Sequence, residues 1–220
     1  MFKKGGILFI ILLLLSSAVS AFTNYQGVTG ELITPTAFSL KYKEFALGID
    51  NYTMHNPSEN IYLNTYKGAI GFTDNLELGF IGQEEKDGVY LNLKYSLVQG
   101  QSERAFGFAL GLENVSSTQN TALYMVASKR FEPWIMGSLG FRAAQENTTT
   151  FINLDWTLNE YTFLIIEAEG GDGEYDGNAG IRFRMNEQIY LNIGFVNIVN
   201  GHDNDTYANF VGIHGIGIIE

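Results

Sequence analysis

From residue 43 onward one pattern recurs about twelve times: a segment of roughly ten residues alternates apolar with small or polar side chains, and a turn cluster follows. A period of two places successive side chains on opposite faces of a strand, and no long stretch carries the helical period. In 88–97, Val89, Leu91, Leu93, Tyr95 and Leu97 share one face, opposite Tyr90, Asn92, Lys94 and Ser96. In 105–112, Phe106, Phe108, Leu110 and Leu112 oppose Ala105, Gly107, Ala109 and Gly111. The same division holds for Ile152, Leu154, Trp156 and Leu158 against Asn153, Asp155 and Thr157. It holds again for Ala179, Ile181, Phe183 and Met185 against Gly180, Arg182 and Arg184, and for Ile189, Leu191, Ile193 and Phe195 against Tyr190, Asn192 and Gly194. Near 121–130 and 207–218 the pattern leaves both faces open.

Connections alternate in length. Short ones fall near Asp74-Asn75, Glu132-Pro133, Asn159-Glu160 and Asn186-Glu187, with one of intermediate length near 99–103. Longer, more polar ones fall near 52–60, 83–88, 114–120, 145–150, 169–178 and 199–206. Strands of about 9–11 residues with short turns at one end and longer loops at the other are the pattern of a transmembrane barrel. An even strand number puts both ends of the barrel on the short-turn, periplasmic side.

Alternation alone does not orient the faces, because a soluble ligand barrel has the same period inverted. The non-apolar face is often Gly and Ala, as in 105–111, where a solvated strand would carry charges against edge pairing. A soluble ligand barrel also has about eight strands. Lipid on the apolar side then sets the register, since one residue of slip would turn Arg182 and Arg184 into hydrocarbon at about 2–4 kcal/mol each near the midplane. This reading places Lys67, Glu77, Lys94, Arg142, Asp155, Glu167, Glu169, Arg182 and Arg184 inside, as ion-paired walls of mixed sign.

The amino terminus reads as a targeting segment. Lys3 and Lys4 precede the apolar run Ile7 to Leu15, and Val19 and Ala21 supply small residues before a cleavage point at Phe22. Its removal takes the formal charge from −11 to −13, which disfavours nucleic-acid binding. Cysteine is absent, so no disulfide or thiol chemistry is expected. The expected organisation is a signal peptide over 1–21, a periplasmic lead-in over 22–42, and over 43–220 an all-β, antiparallel up-and-down transmembrane β-barrel of about twelve strands. A soluble secreted β-barrel is the competing fold reading.

Two motifs carry a family resemblance. One is Gly27-Val28-Thr29-Gly30-Glu31-Leu32-Ile33-Thr34-Pro35-Thr36-Ala37, and the other is Thr73-Asp74-Asn75-Leu76-Glu77-Leu78-Gly79. Together they resemble the YjbH-like family of outer-membrane barrels, in which a G-x-T-G-x-x-x-T-P-T-A segment leads into the first strand and a D-x-L-E-x-G turn-strand follows. Glu31 stands where an apolar residue is more usual. The resemblance implies an outer-membrane location and a link to exopolysaccharide production. Physically, Pro35 cannot donate to a ladder and belongs before the first strand or on an edge. The functional reading of this segment is a plug at the barrel mouth, and the plainer one is an N-terminal turn.

Candidate chemistry adds little. His55 and His202 fall in expected external loops and His214 in the last strand; none stands in a hydrolase motif, so no enzymatic activity and no cofactor are expected. Asp172, Glu174, Asp176 and Gly177 loosely follow the opening of a calcium loop, but the position of its bidentate glutamate is Phe183, leaving only a weak divalent site. Glu84, Glu85 and Asp87 form a similar acidic tip. Tyr62, Tyr90, Trp134, Tyr161 and Tyr207 suit interfacial girdles or cross-strand pairs. The expected partner is membrane lipid, with polysaccharide or envelope assembly proteins beyond it. Twelve strands lie between side-chain-filled barrels and open channels. The expected function is therefore a narrow pore or export component for small solutes or saccharide, with a structural envelope barrel as the alternative.

Overall fold

The computed structural model describes residues 22–83, 88–100, 106–117, 121–145, 147–199 and 206–219. The expected signal segment 1–21, the acidic tip at Glu84, Glu85 and Asp87, and His202 lie outside them. Twelve strands follow one another: β1 (Glu44–His55), β2 (Asn60–Gly71), β3 (Leu76–Gln83), β4 (Val89–Gln99), β5 (Phe106–Glu113), β6 (Ala122–Glu132), β7 (Ile135–Ala143), β8 (Thr148–Asn159), β9 (Thr162–Gly171), β10 (Glu174–Arg184), β11 (Ile189–Val199) and β12 (Tyr207–Ile218). Each pairs antiparallel with the next, and β1 closes on β12 in unbroken register from Glu44 opposite Ile218 to His55 opposite Tyr207. Closure leaves no unpaired strand edge, the condition a sheet must meet in hydrocarbon.

The period-two pattern sorts the side chains as expected. Leu47, Ile49, Leu91, Leu139, Ile152, Ile193 and Ile213 point outward and are exposed, while Asp50, Lys94, Asn153 and Arg182 point inward and are buried. The two undecided segments now resolve. Tyr124, Val126 and Ser128 of β6 face in, and so do Ala208, Phe210 and His214 of β12. Their faces were obscured because large aromatics line the inside here, while the outward positions of β12 include Gly215 and Gly217.

Two of the expected long loops are shorter. β1 and β2 continue to His55 and Asn60, and β9 and β10 are joined by Asp172-Gly173 alone. With φ of 56° and 90°, these two residues have the positive values that a tight two-residue hairpin turn requires. Aromatic side chains mark both ends of the exterior. Trp134 and Trp156 stand 6.2 Å apart on the short-turn side with Tyr161 exposed nearby, and Tyr62 and Tyr207 are exposed on the other. Tyr90 is half-buried at an inward position and does not join them.

Residues 22–40 lie inside the barrel, and Lys41 and Tyr42 are exposed at its rim. They form two back-to-back turns, with bridges between Thr23 and Thr29 and between Gly30 and Pro35. Asn24 ties them together: its Oδ1 accepts from the amides of Gln26 and Val28, at 3.0 and 3.2 Å, and its Nδ2 donates to the Ile33 carbonyl at 2.9 Å. Phe22, Val28, Leu32, Ala37, Phe38 and Leu40 are buried against the wall. The segment leaves at the short-turn rim, where the Lys43 amide donates to the Gly71 carbonyl at 3.0 Å and the Tyr42 amide to Asp74 at 3.1 Å. The lead-in is therefore a plug within the lumen, not a stretch beneath it.

Candidate functional site

The plug is held mainly by hydrogen bonds to charged groups on the wall. Glu167 of β9 is the strongest anchor. Its carboxylate accepts from the amides of Leu32, Ile33 and Thr34 at 3.0, 3.0 and 3.2 Å, and from the Thr34 hydroxyl at 2.7 Å. Three successive amides converging on one carboxylate make a small anion nest, here filled by the wall's own side chain. Glu77 of β3 is the second anchor, accepting from the Thr29 amide at 2.6 Å, the Thr29 hydroxyl at 2.8 Å and the Leu40 amide at 3.0 Å. Lys94 of β4 stands 3.7 Å from Glu77 and donates to the carbonyls of Thr29 and Phe38 at 2.9 and 2.8 Å, and to the Thr29 hydroxyl.

The two resemblance motifs thus meet in space. Thr29 of the first bonds Glu77 of the second, and Gly27 lies against Gly79 so closely that a Cβ on Gly79 would come within 2.4 Å of the Gly27 carbonyl oxygen. Asp74, from the same turn-strand, caps the plug's exit at Tyr42. Glu31, the odd residue of the first motif, has a partner: Arg182 Nη1 lies 3.2 Å from its carboxylate, and the same guanidinium covers the Phe22 ring at 3.8 Å. Burial pushes the Glu31 carboxyl up to about 8, Asp155 and Glu167 add to the rise, and Arg182 opposes it.

Polar side chains complete the contact. Ser128 accepts from the Ala37 amide at 2.7 Å, Ser96 donates to the Ala37 carbonyl at 2.7 Å, and Asn153 donates to the Thr34 hydroxyl at 2.7 Å. Gln83 donates to the Tyr25 hydroxyl, whose ring meets Tyr52 edge-on at 5.5 Å.

Two further charge clusters line the wall. Asp50 pairs with Lys67 at 2.5 Å and accepts from His214 Nε2 at 2.7 Å. Arg142 lies 2.8 Å from Glu113 and also pairs with Glu169, which accepts from the Thr149 hydroxyl at 3.0 Å. Of the residues expected inside, Lys67, Glu77, Lys94, Glu167 and Arg182 are buried. Arg142, Asp155 and Glu169 are half-buried, and Arg184 reaches the short-turn rim, where it donates to the Asn186 carbonyl at 3.3 Å. Asp172, Glu174 and Asp176 do not come together; β10 begins at Glu174, and a strand spaces alternate residues by about 6.6 Å. Among the described residues no group of three His, Cys, Asp or Glu side chains is placed to hold a metal ion. Asp50 and Glu113 were not singled out in the sequence, and His214 was placed in the last strand without a partner. Asp50 and Glu113 sit at inward positions that alternation from Leu47 and from Phe106 would have reached.

No protein-family model and no curated protein matches the chain. Solved structures do. The KdgM porin in complex with disordered oligogalacturonate aligns with a TM-score of 0.56 at 13% identity, over 77% of this chain and 98% of that one. The two chains share a fold. A second KdgM porin structure aligns at 0.56 and 16% identity, over 76% of this chain and 98% of that one. The NanC porin aligns at 0.55 and 10% identity, over 79% and 100%. A closed twelve-strand barrel of this fold, with an apolar exterior between aromatic girdles, is an outer-membrane barrel.

Proposed function

We propose that this barrel is a plugged pore for small saccharides or other small solutes, with residues 22–42 as its gate. One observation carries the reading: the plug is fastened by hydrogen bonds to wall carboxylates and Lys94, a fastening that water or a hydroxyl-rich solute can replace. A plug fixed only by apolar packing would offer no such exchange. The fold shared with the KdgM porin, solved with oligogalacturonate, supports a saccharide as the solute class. The motif resemblance to YjbH-like barrels points the same way, toward exopolysaccharide. The barrel acts as a conduit and catalyses no reaction.

Planar-bilayer recording of the full chain tests this. The native protein is expected to rest in a low-conductance state. Gly27→Val with Gly30→Val is expected to open it, because a Cβ at these positions would meet the Phe80 and Thr34 carbonyl oxygens at 2.0 and 2.3 Å without changing any charge. A folded double variant that still seals would remove the pore. The filled lumen favours a second reading, a structural barrel without transport, and that same result would establish it.

A further inference from the structure

We propose that the outer wall carries a binding site for one glycerophospholipid of the periplasmic leaflet, its phosphate on Lys129 and an acyl chain in the groove beside it. The groove encloses about 480 Å³, within the ~300–1,000 Å³ typical of ligand sites. Small outward residues, Ala127 of β6, Gly137 of β7 and Ala168 of β9, form its floor, and Phe131, Leu154 and Ile166 are among its walls. The floor is low because Ala127 and Gly137 stand on the adjacent strands β6 and β7, with Ala168 on β9 beyond β8, while the outward positions around them carry Leu139, Ile152, Leu154 and Ile166.

Lys129 lines the same groove, with its ammonium 5.6 Å from the Phe131 ring centroid. Among the described residues it is the one charged side chain that points outward between the two aromatic girdles. A lone cation there is costly unless it reaches water or an anion. Its depth selects the anion. Lys129 pairs with Gly137, two residues from Ile135, which pairs with Trp156 of the short-turn girdle. That separation is about 5 Å along the membrane normal for a tilted strand, so an extended lysine reaches the headgroup layer on the periplasmic side. The phosphate there belongs to a glycerophospholipid, whose chain would run from Lys129 into the groove. A second copy of the chain is a poorer occupant. The described belt offers no outward carboxylate at this level, so packing two barrels on this face would bury Lys129 against apolar side chains.

Native mass spectrometry of the detergent-solubilised full chain tests the site, with 1-palmitoyl-2-oleoyl-phosphatidylglycerol as probe and dioleoylglycerol as the phosphate-free control. One phosphatidylglycerol is expected to bind in preference to dioleoylglycerol. Lys129→Gln is expected to lower its bound fraction about fivefold, to the level of the control, and Lys129→Arg to restore it. Gly137→Leu is expected to lower binding of both lipids, since a Cβ there already stands 3.1 Å from the Phe131 ring and a larger side chain fills the groove. A heat-shift gel confirms that each variant retains the closed barrel. Equal binding by native protein and Lys129→Gln, or a dimer that Lys129→Gln dissociates, would overturn the proposal.

Discussion

Glu167→Ala isolates the plug's main fastening. In the seated plug this carboxylate satisfies the amides of Leu32, Ile33 and Thr34 and the Thr34 hydroxyl. Hydrogen bonds to a charged group contribute about 1.5–3 kcal/mol each. Four such contributions do not add, because the truncated side chain leaves room for water to reach the amides. Removing one partner of a buried charged contact costs about 3–5 kcal/mol, and the lower end suits a site that water can refill. A loss of about 3 kcal/mol shifts the seated-to-released equilibrium by about 10²-fold. The chain has no cysteine, so a single Val28→Cys reporter is unambiguous, and Val28 is fully buried in the seated plug. Maleimide labelling of that thiol in the folded barrel is expected to run about a hundred times faster with Glu167→Ala than without it. Equal labelling rates, with both proteins showing the native heat shift, would refute the idea that Glu167 holds the plug.

Other perturbations follow from the same geometry. Glu31 titrates near 8 when seated beside Asp155, Glu167 and Arg182, against about 4.3 for a free glutamate. The seated plug therefore holds a proton that the released one lacks between those values; seating is fully favoured below about pH 4.3 and weakens as pH rises toward 8. Labelling at Val28→Cys, corrected for the thiol's own ionisation, should quicken over that range, and a flat profile would contradict it. Arg142→Ala strands Glu113 and Glu169 without their shared cation, at about 3–5 kcal/mol, and should lower the urea midpoint of unfolding; an unchanged midpoint would show the cluster to be solvated. Gly71→Ala would place a Cβ 1.8 Å from the Lys41 carbonyl oxygen, a clash with backbone at the plug's exit. It is expected to loosen the already exposed 41–43 segment and speed its cleavage in limited proteolysis, and an unchanged cleavage rate would count against that tight junction.

The strands were legible because lipid and lumen sit on opposite sides of every one of them. A two-residue period in Val89 to Leu97 or Ile152 to Leu158 admits few other structures. Connection lengths were less legible. The Asp172-Gly173 pair is a hairpin signal, but the acids and glycines around it resemble a loop until both flanking strands are paired. The plug's position was hidden for a different reason. Gly27 to Ala37 is small, polar and turn-rich, which says only that it is not a strand or helix. Its location depends on Glu77, Lys94, Glu167 and Arg182, and no local rule connects Thr34 to a carboxylate 133 residues away.

That separation has a consequence for the order of assembly. The plug is made and exported before the residues it binds, and its partner for Glu31 comes 151 residues later. It cannot seed the far wall, because Glu167 and Arg182 emerge well over a hundred residues after it. Contacts spanning most of a chain form late and slowly. The nascent barrel must therefore either roll up around a waiting segment or close first and draw it in from the short-turn rim. Only in the second route does the lumen pass through a hollow stage before the segment seals it.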